Sequence, residues 1–260
     1  MTAIIEVKDI TWEREHKTIL QQINWTIKQG EHWALLGLNG SGKTTLLNMI
    51  NGYIWPTKGQ ISVLGHKYGT VDLREMRKRI GWVSSSFQER IHPREKTQHL
   101  VISGLHASVG LFDRPEEEDI ERAVQLMETL GCAHLFDRPF QTCSQGEKQK
   151  LLIARALMAS PELLILDEAS NGLDFLSRES LLHSIANLVR QKDSPTLLYV
   201  THHVEEILPE FTHTLLLRAG TVFASGKTEE VLTSEQLSSL FDTAVQVDWR
   251  NNRAHLSLQA

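Results

Sequence analysis

Residues 37–44 read Gly37-Leu38-Asn39-Gly40-Ser41-Gly42-Lys43-Thr44, a complete G-x-x-x-x-G-K-T phosphate loop directly after the apolar run Trp33-Ala34-Leu35-Leu36. No other stretch constrains the fold as much. A buried strand that delivers the chain into a glycine-rich turn, with a helix starting at the lysine, predicts an α/β domain. Backbone N–H groups of the turn and the unsatisfied N–H groups of the helix form a concave site for anions. Gly40 and Gly42 allow close backbone approach, Lys43 supplies a point charge for the β- and γ-phosphates, and the Thr44 hydroxyl can ligate Mg²⁺. An ordinary glycine turn is the bland alternative, and the strand-before, helix-after context sets it aside. The expected ligand is a nucleoside triphosphate bound along Gly37, Leu38, Asn39, Gly40, Ser41, Gly42, Lys43, Thr44 and Thr45.

The rest of the chain bounds how that nucleotide is used. The 260 residues suffice for one large core or two closely joined ones. Hydrophobic residues at 41% and charged residues at 23% fit a soluble globular protein. A formal net charge of −5 speaks against a general nucleic-acid binder, so no direct nucleic-acid partner is expected. Cys132 and Cys143 are too few for a disulfide framework. Charges interrupt the N-terminal residues early, and no apolar run approaches the roughly 20 residues that cross a bilayer. The expectation is a cytoplasmic chain that reaches a membrane only through another chain.

Along the sequence, Ile4–Trp12 and Ile19–Ile27 alternate as strands, Thr44–Ile50 is the helix behind the loop, and Gln60–Leu64 is a further short strand. From about residue 88 to 160 the pattern turns helical. The clearest case is Asp119–Gly131, where Ile120, Ala123, Val124, Met127 and Leu130 share one face. Strand signals resume at Leu163–Leu166, Thr196–Thr201 and Thr214–Leu217, apolar runs suited to a parallel sheet covered on both faces. Thr221–Ala224 follows as a hairpin partner, and Ser234–Ala260 carries no readable motif.

Two carboxylates, Asp167 and Glu168, emerge from the C-terminal end of the strand Leu163–Leu166, the end at which open α/β sheets place ligands. Asp167 is the candidate for holding Mg²⁺ and Glu168 for polarising an attacking water. A solvated acidic turn is the bland reading, weakened by the phosphate loop upstream. Cys143-Ser144-Gln145-Gly146-Glu147 opens a helix that runs to Ala159, with Ser144 and Glu147 as a capping box. Beyond a well-capped helix, this N-terminus with an exposed Gly146 backbone is a second anion site.

Ser144–Lys150 followed by Ile153-Ala154-Arg155-Ala156-Leu157 resembles the signature segment of ABC-type ATPases, usually written L-S-G-G-Q. Asn171-Gly172-Leu173-Asp174 resembles that family's D-loop, and Thr201-His202-His203 its switch-histidine loop. The resemblance covers roughly residues 4–230. It implies a P-loop NTPase core with a mainly parallel sheet, an N-terminal antiparallel β-subdomain and an inserted helical subdomain. The ATP-binding domain spans 1–235 with the insertion at about 88–160, leaving 236–260 as a C-terminal tail. It further implies ATP and Mg²⁺ as ligands and a head-to-tail homodimer, or a pair with a homologous ATPase. In each composite site, Ser144, Gln145, Gly146 and Glu147 of one copy face the Lys43 of the other. Lys43, Glu168 as general base and His202 at the γ-phosphate carry catalysis, Asp174 is the D-loop residue, and Thr44, Asp167 and Gln88 hold Mg²⁺.

Several positions depart from the family pattern. The signature has Cys143 for Leu and Gln145 for Gly, Ala169 replaces the usual Pro, and His203 a frequent Asp. Either Trp12 or Arg14 covers adenine. After Ile80-Gly81-Trp82-Val83, the standard register puts Ser85 at the Mg²⁺-sensing position, with Gln88 three residues later as the favoured alternative. A metal reading of the twelve histidines is set aside, since adjacent His202 and His203 project to opposite sides if extended and no metal-binding cluster is spelled out. The function expected from the resemblance is the ATPase of a transporter, working with separate transmembrane permease subunits and thus peripheral on the inner face of the membrane. A soluble ABC-type ATPase that remodels a ribosome, DNA or a protein complex is the alternative.

Overall fold

The structure, a computed structural model, describes residues 2–106, 110–111 and 114–259, with the backbone alone at 85 and 86. In chain order, β1 (Ala3–Arg14), β2 (Lys17–Lys28) and β3 (Trp33–Leu36) precede α1 (Lys43–Ile50), β4 (Lys58–Val63), β5 (His66–Lys67) and α2 (Leu73–Lys78). Next come β6 (Ile80–Val83), α3 (Ser85–Gln88), α4 (Thr97–Ile102), α5 (Glu117–Thr129), α6 (Gln145–Leu157), β7 (Leu163–Asp167) and α7 (Phe175–Val189). The last are β8 (Thr196–Thr201), β9 (His213–Arg218), β10 (Thr221–Lys227), α8 (Thr228–Val231), α9 (Ser234–Phe241), β11 (Val245–Arg250) and β12 (Arg253–Leu258). They form two compact units, one of residues 1–77 with 196–260, the other of residues 78–195.

The first unit carries an antiparallel sheet in the order β2-β1-β4-β5. Val7 and Ile10 of β1 and Ile23 and Ile27 of β2 are buried between polar neighbours, as in a sheet with one covered face. In the unit's second sheet β3 runs parallel to both β8 and β9, and β10 returns antiparallel to β9. Every residue of β3 and β8 is buried, as expected of strands covered on both faces. Leu36 lies level with Thr201 of β8 and Leu216 of β9. The segments that follow these three strands therefore leave the same edge of the sheet.

At the C-terminus of this unit, where the sequence offered no reading, α9 buries Leu237 and Leu240. β11 and β12 pair as a hairpin closed by Asn251 and Asn252, both left-handed with φ of 51° and 58°. Arg218 of β9 donates to both carboxylate oxygens of Asp242 at 2.7 and 2.8 Å and to the Ser239 carbonyl at 2.6 Å, tying α9 to the second sheet.

The second unit pairs β6 with β7 in parallel, Ile80 level with Leu163 and Val83 with Leu166. Its core comes from the apolar faces of α4 to α7, among them Leu100, Val101, Ala123, Met127, Leu151, Ile153, Leu181 and Ile185. α5 buries Ala123 and Met127 on the face its periodicity predicts.

Candidate active site

The phosphate loop starts where β3 ends, and it closes on its own lysine. Lys43 is the first residue of α1 and is buried. Its ammonium donates to the carbonyls of Gly37 at 2.7 Å and Leu38 at 3.2 Å, so the positive charge sits inside the turn. Gly42 takes φ 107°, a backbone conformation that strains any residue with a side chain, and a Cβ there would also push on Leu20 Cδ2 at 2.7 Å. The crest, Leu38, Asn39 and Gly40, is exposed, as is Thr44, while Thr45 is half-buried. No side chain caps the N-terminus of α1 and its first turn holds no acidic residue. The positive end of the helix is thus left to an external anion, and a triphosphate fits that donor set. The loop is braced from β9: Gly220 N–H donates to the Ser41 carbonyl at 2.9 Å. Beside it lies a cavity of about 260 Å³ lined by residues including Asn39, Ser41, Arg218 and Asp242.

His202 leaves the end of β8, beside the start of the phosphate loop on β3. The two histidine rings do not project to opposite sides as expected of an extended pair. Their centroids lie 4.0 Å apart, because the chain bends at His202 once the strand has ended. A buried carboxylate that the sequence reading passed over organises this bend. Glu206 accepts from Thr201 Oγ1 at 2.5 Å and from the Tyr199 hydroxyl at 3.2 Å, and Thr201 Oγ1 accepts from His203 N–H at 3.0 Å. Of the two candidates for the adenine platform, Trp12 is half-buried opposite Leu20. Arg14 stands exposed near the β1–β2 turn, paired with Glu15 at 3.5 Å.

In the second unit the four residues Leu163–Leu166 are fully buried and the carboxylates of Asp167 and Glu168 follow half-buried. Glu168 is left-handed at φ 51°, a conformation a glutamate rarely adopts and one concentrated at functional sites. Sequence patterns carry no sign of it. Asp174 caps α7: its Oδ1 accepts from Ser177 N–H at 3.0 Å and its Oδ2 from the Ser177 hydroxyl at 2.7 Å. Those two bonds hold its carboxyl below the usual range.

The capping box at α6 forms as read. Ser144 Oγ accepts from Glu147 N–H at 3.3 Å, and Glu147 Oε2 accepts from Ser144 N–H at 2.7 Å. Glu147 Oε1 lies 3.3 Å from His134 Nε2. Burial raises the Glu147 carboxyl, but the bonds from Ser144 and the neighbouring His134 outweigh it and leave a net lowering. Gly146 is buried rather than exposed, contrary to expectation. A Cβ there would lie 3.2 Å from Ser177 Cβ, so α6 and α7 pack through their first turns. Ser144 and Gln145 remain exposed at the helix end. Gln88, the last residue of α3, donates through Nε2 to Gln145 Oε1 at 2.9 Å. The side chain of Ser85 lies outside the described residues.

Comparison with known proteins gives a consistent picture. The sequence model of a family described as ABC transporter matches residues 20–171. YlmA, an ABC transporter ATP-binding protein of Bacillus subtilis, is 47% identical over 255 residues, covering 98% of this chain and 97% of its own. Among solved structures, an inward-facing putative metal-chelate type ABC transporter superposes with TM-score 0.78 at 27% identity, over 100% of this chain and 98% of that one. A dimeric ATP-binding cassette in a post-hydrolysis state, bound to ADP and Pi, gives TM-score 0.72 at 25% identity, over 86% and 98% of the respective chains.

Proposed function

The chain belongs to the ABC transporter family as an ATP-binding, ATP-hydrolysing subunit, and from that premise we propose that two copies close on ATP to drive separate transmembrane subunits. The observation that carries this reading is the division of anion-binding parts within one chain. α1 offers an uncapped N-terminus with a buried lysine, and α6 offers a second N-terminus with Ser144 and Gln145 exposed. In the proposed composite site one γ-phosphate takes one of each, supplied by two copies. The dimeric ADP-bound relative supports such a pair.

The roles proposed for the residues follow from their chemistry. Lys43 and the loop N–H groups of Gly37–Thr45 bind the triphosphate. Thr44, Asp167 and Gln88 would hold Mg²⁺, which would supply positive charge to the bound triphosphate. Glu168, fixed by its left-handed backbone, accepts the proton of the attacking water, and His202 donates to the γ-phosphate. Ser144, Gln145 and the first-turn N–H groups, shaped by Glu147, meet that phosphate from the other copy. Asp174 holds the start of α7, against which Gly146 packs.

No helix among the described residues is long and apolar enough to cross a membrane, which fits the proposed pairing with separate transmembrane subunits. The full-length similarity to a putative metal-chelate type transporter supports a permease of that type. The Glu168→Gln variant tests the reading. Added with ATP to solubilised membranes, it is expected to be recovered as a dimer with an integral membrane protein. Recovery with ribosomes or DNA instead would assign the chain to remodelling.

A further inference from the structure

α3 is a single turn, yet it grips the signature helix α6 at separate places. Gln88 Nε2 donates to Gln145 Oε1 at 2.9 Å, and Gln149 Nε2 reaches Gln88 Oε1 at 3.5 Å. Gln145 and Gln149 stand one turn apart on the same face of α6. Gln149 is buried, and its Oε1 has no hydrogen-bond partner among the described residues, so Gln88 satisfies part of an amide that burial otherwise strands. Next to Gln88, the Phe87 ring stacks under the Arg155 guanidinium at 4.1 Å, farther along α6.

The bond to Gln145 sets a direction as well as a position. Gln145 is the first residue of α6, beside the Ser144 cap, and it is exposed. A side-chain amide has one acceptor oxygen and one donor NH₂ group. With Oε1 engaged by Gln88, the Nε2 donors are what the amide can add to the N–H groups at this helix end.

We infer that Gln88 is a positioning residue for the signature helix, acting through Gln145 on the ATP held by the partner copy. This role in trans is separate from any role in cis at Mg²⁺. It also assigns a purpose to the glutamine that stands where the family commonly has glycine. The inference rests on the composite-site reading above.

The test measures ATP-driven dimerisation of the Glu168→Gln protein by sedimentation, with EDTA present so that a Mg²⁺ ligand is silent. Gln88→Ala is expected to raise the dimer dissociation constant about fivefold to tenfold, Gln145→Ala to match it, and the double variant to add nothing further, as for two residues acting through one bond. Gln145 is exposed, so its variant reports on the bond even if Gln88→Ala perturbs folding. Mixed dimers separate the two roles. Gln88→Ala placed in the chain that carries Lys43→Ala faces the intact loop of its partner and is expected to weaken the dimer. Placed in the chain with the intact loop, it is expected to have no effect. Additive losses, or an unchanged dissociation constant for Gln88→Ala without Mg²⁺, would overturn the inference alone. Failure of the Glu168→Gln parent to dimerise with ATP would overturn the composite-site reading and this inference with it.

Discussion

Lys43 shows how one side chain serves structure and ligand together. Its ammonium is held by two loop carbonyls, so the charge is already inside the turn that a triphosphate enters. Lys43→Ala is expected to weaken ATP binding about a hundredfold, the size of one lost charge-assisted hydrogen bond, while far-UV circular dichroism is retained. Undiminished affinity in a nucleotide titration would contradict the assignment. Glu147 makes a prediction with a sign. Its carboxyl is lowered on balance, so its contribution is full above the unfolded value and fades as pH falls through the lower folded value. Wild type is therefore expected to be more stable than Glu147→Gln near neutrality, with the difference in urea midpoint closing below about pH 4. The sequence carries the identity of such residues but not their settings. Glu168 could be named from its place after an apolar strand, whereas its left-handed backbone could not. Glu206 was passed over because a buried carboxylate bracing a bend has no spacing rule.

At the scale of elements, legibility followed the strength of the local signal. β3, β7 and β8 stand where their apolar runs put them, and α5 and α6 start within about two residues of expectation. α7 went unread. Its first residues, Phe175 and Leu176, are exposed and the buried face includes Ser184, which blurs the helical period. The start signal at Asp174 also fits the D-loop pattern, which masks its role as a helix cap. The closing hairpin did carry a signal, with Val245, Val247 and Trp249 alternating up to Asn251-Asn252, a turn pair suited to two left-handed residues. The buried Gly146 had no such cue, since its partner Ser177 belongs to the unread helix. Helix packing also hides both thiols. Cys132 is buried with its thiol pushed up to about 12 by burial, and burial likewise raises that of buried Cys143. Neither is expected to react with a maleimide at pH 7 in the folded protein, and both are expected to label in urea. Rapid labelling of either thiol in the native state would contradict this packing.

At the scale of the whole molecule, the chain carries a single phosphate loop and a single signature helix, and full sites are proposed to arise only between copies. Two inactive chains are therefore expected to complement each other. Lys43→Ala removes one half-site and Ser144→Arg blocks the other, so each variant alone is expected to be inactive. Mixed in equal amounts, half of the dimers are expected to pair an intact loop with an intact signature helix once. ATPase activity should then return to about a quarter of the wild-type rate. A mixture as inactive as its components would contradict the shared site.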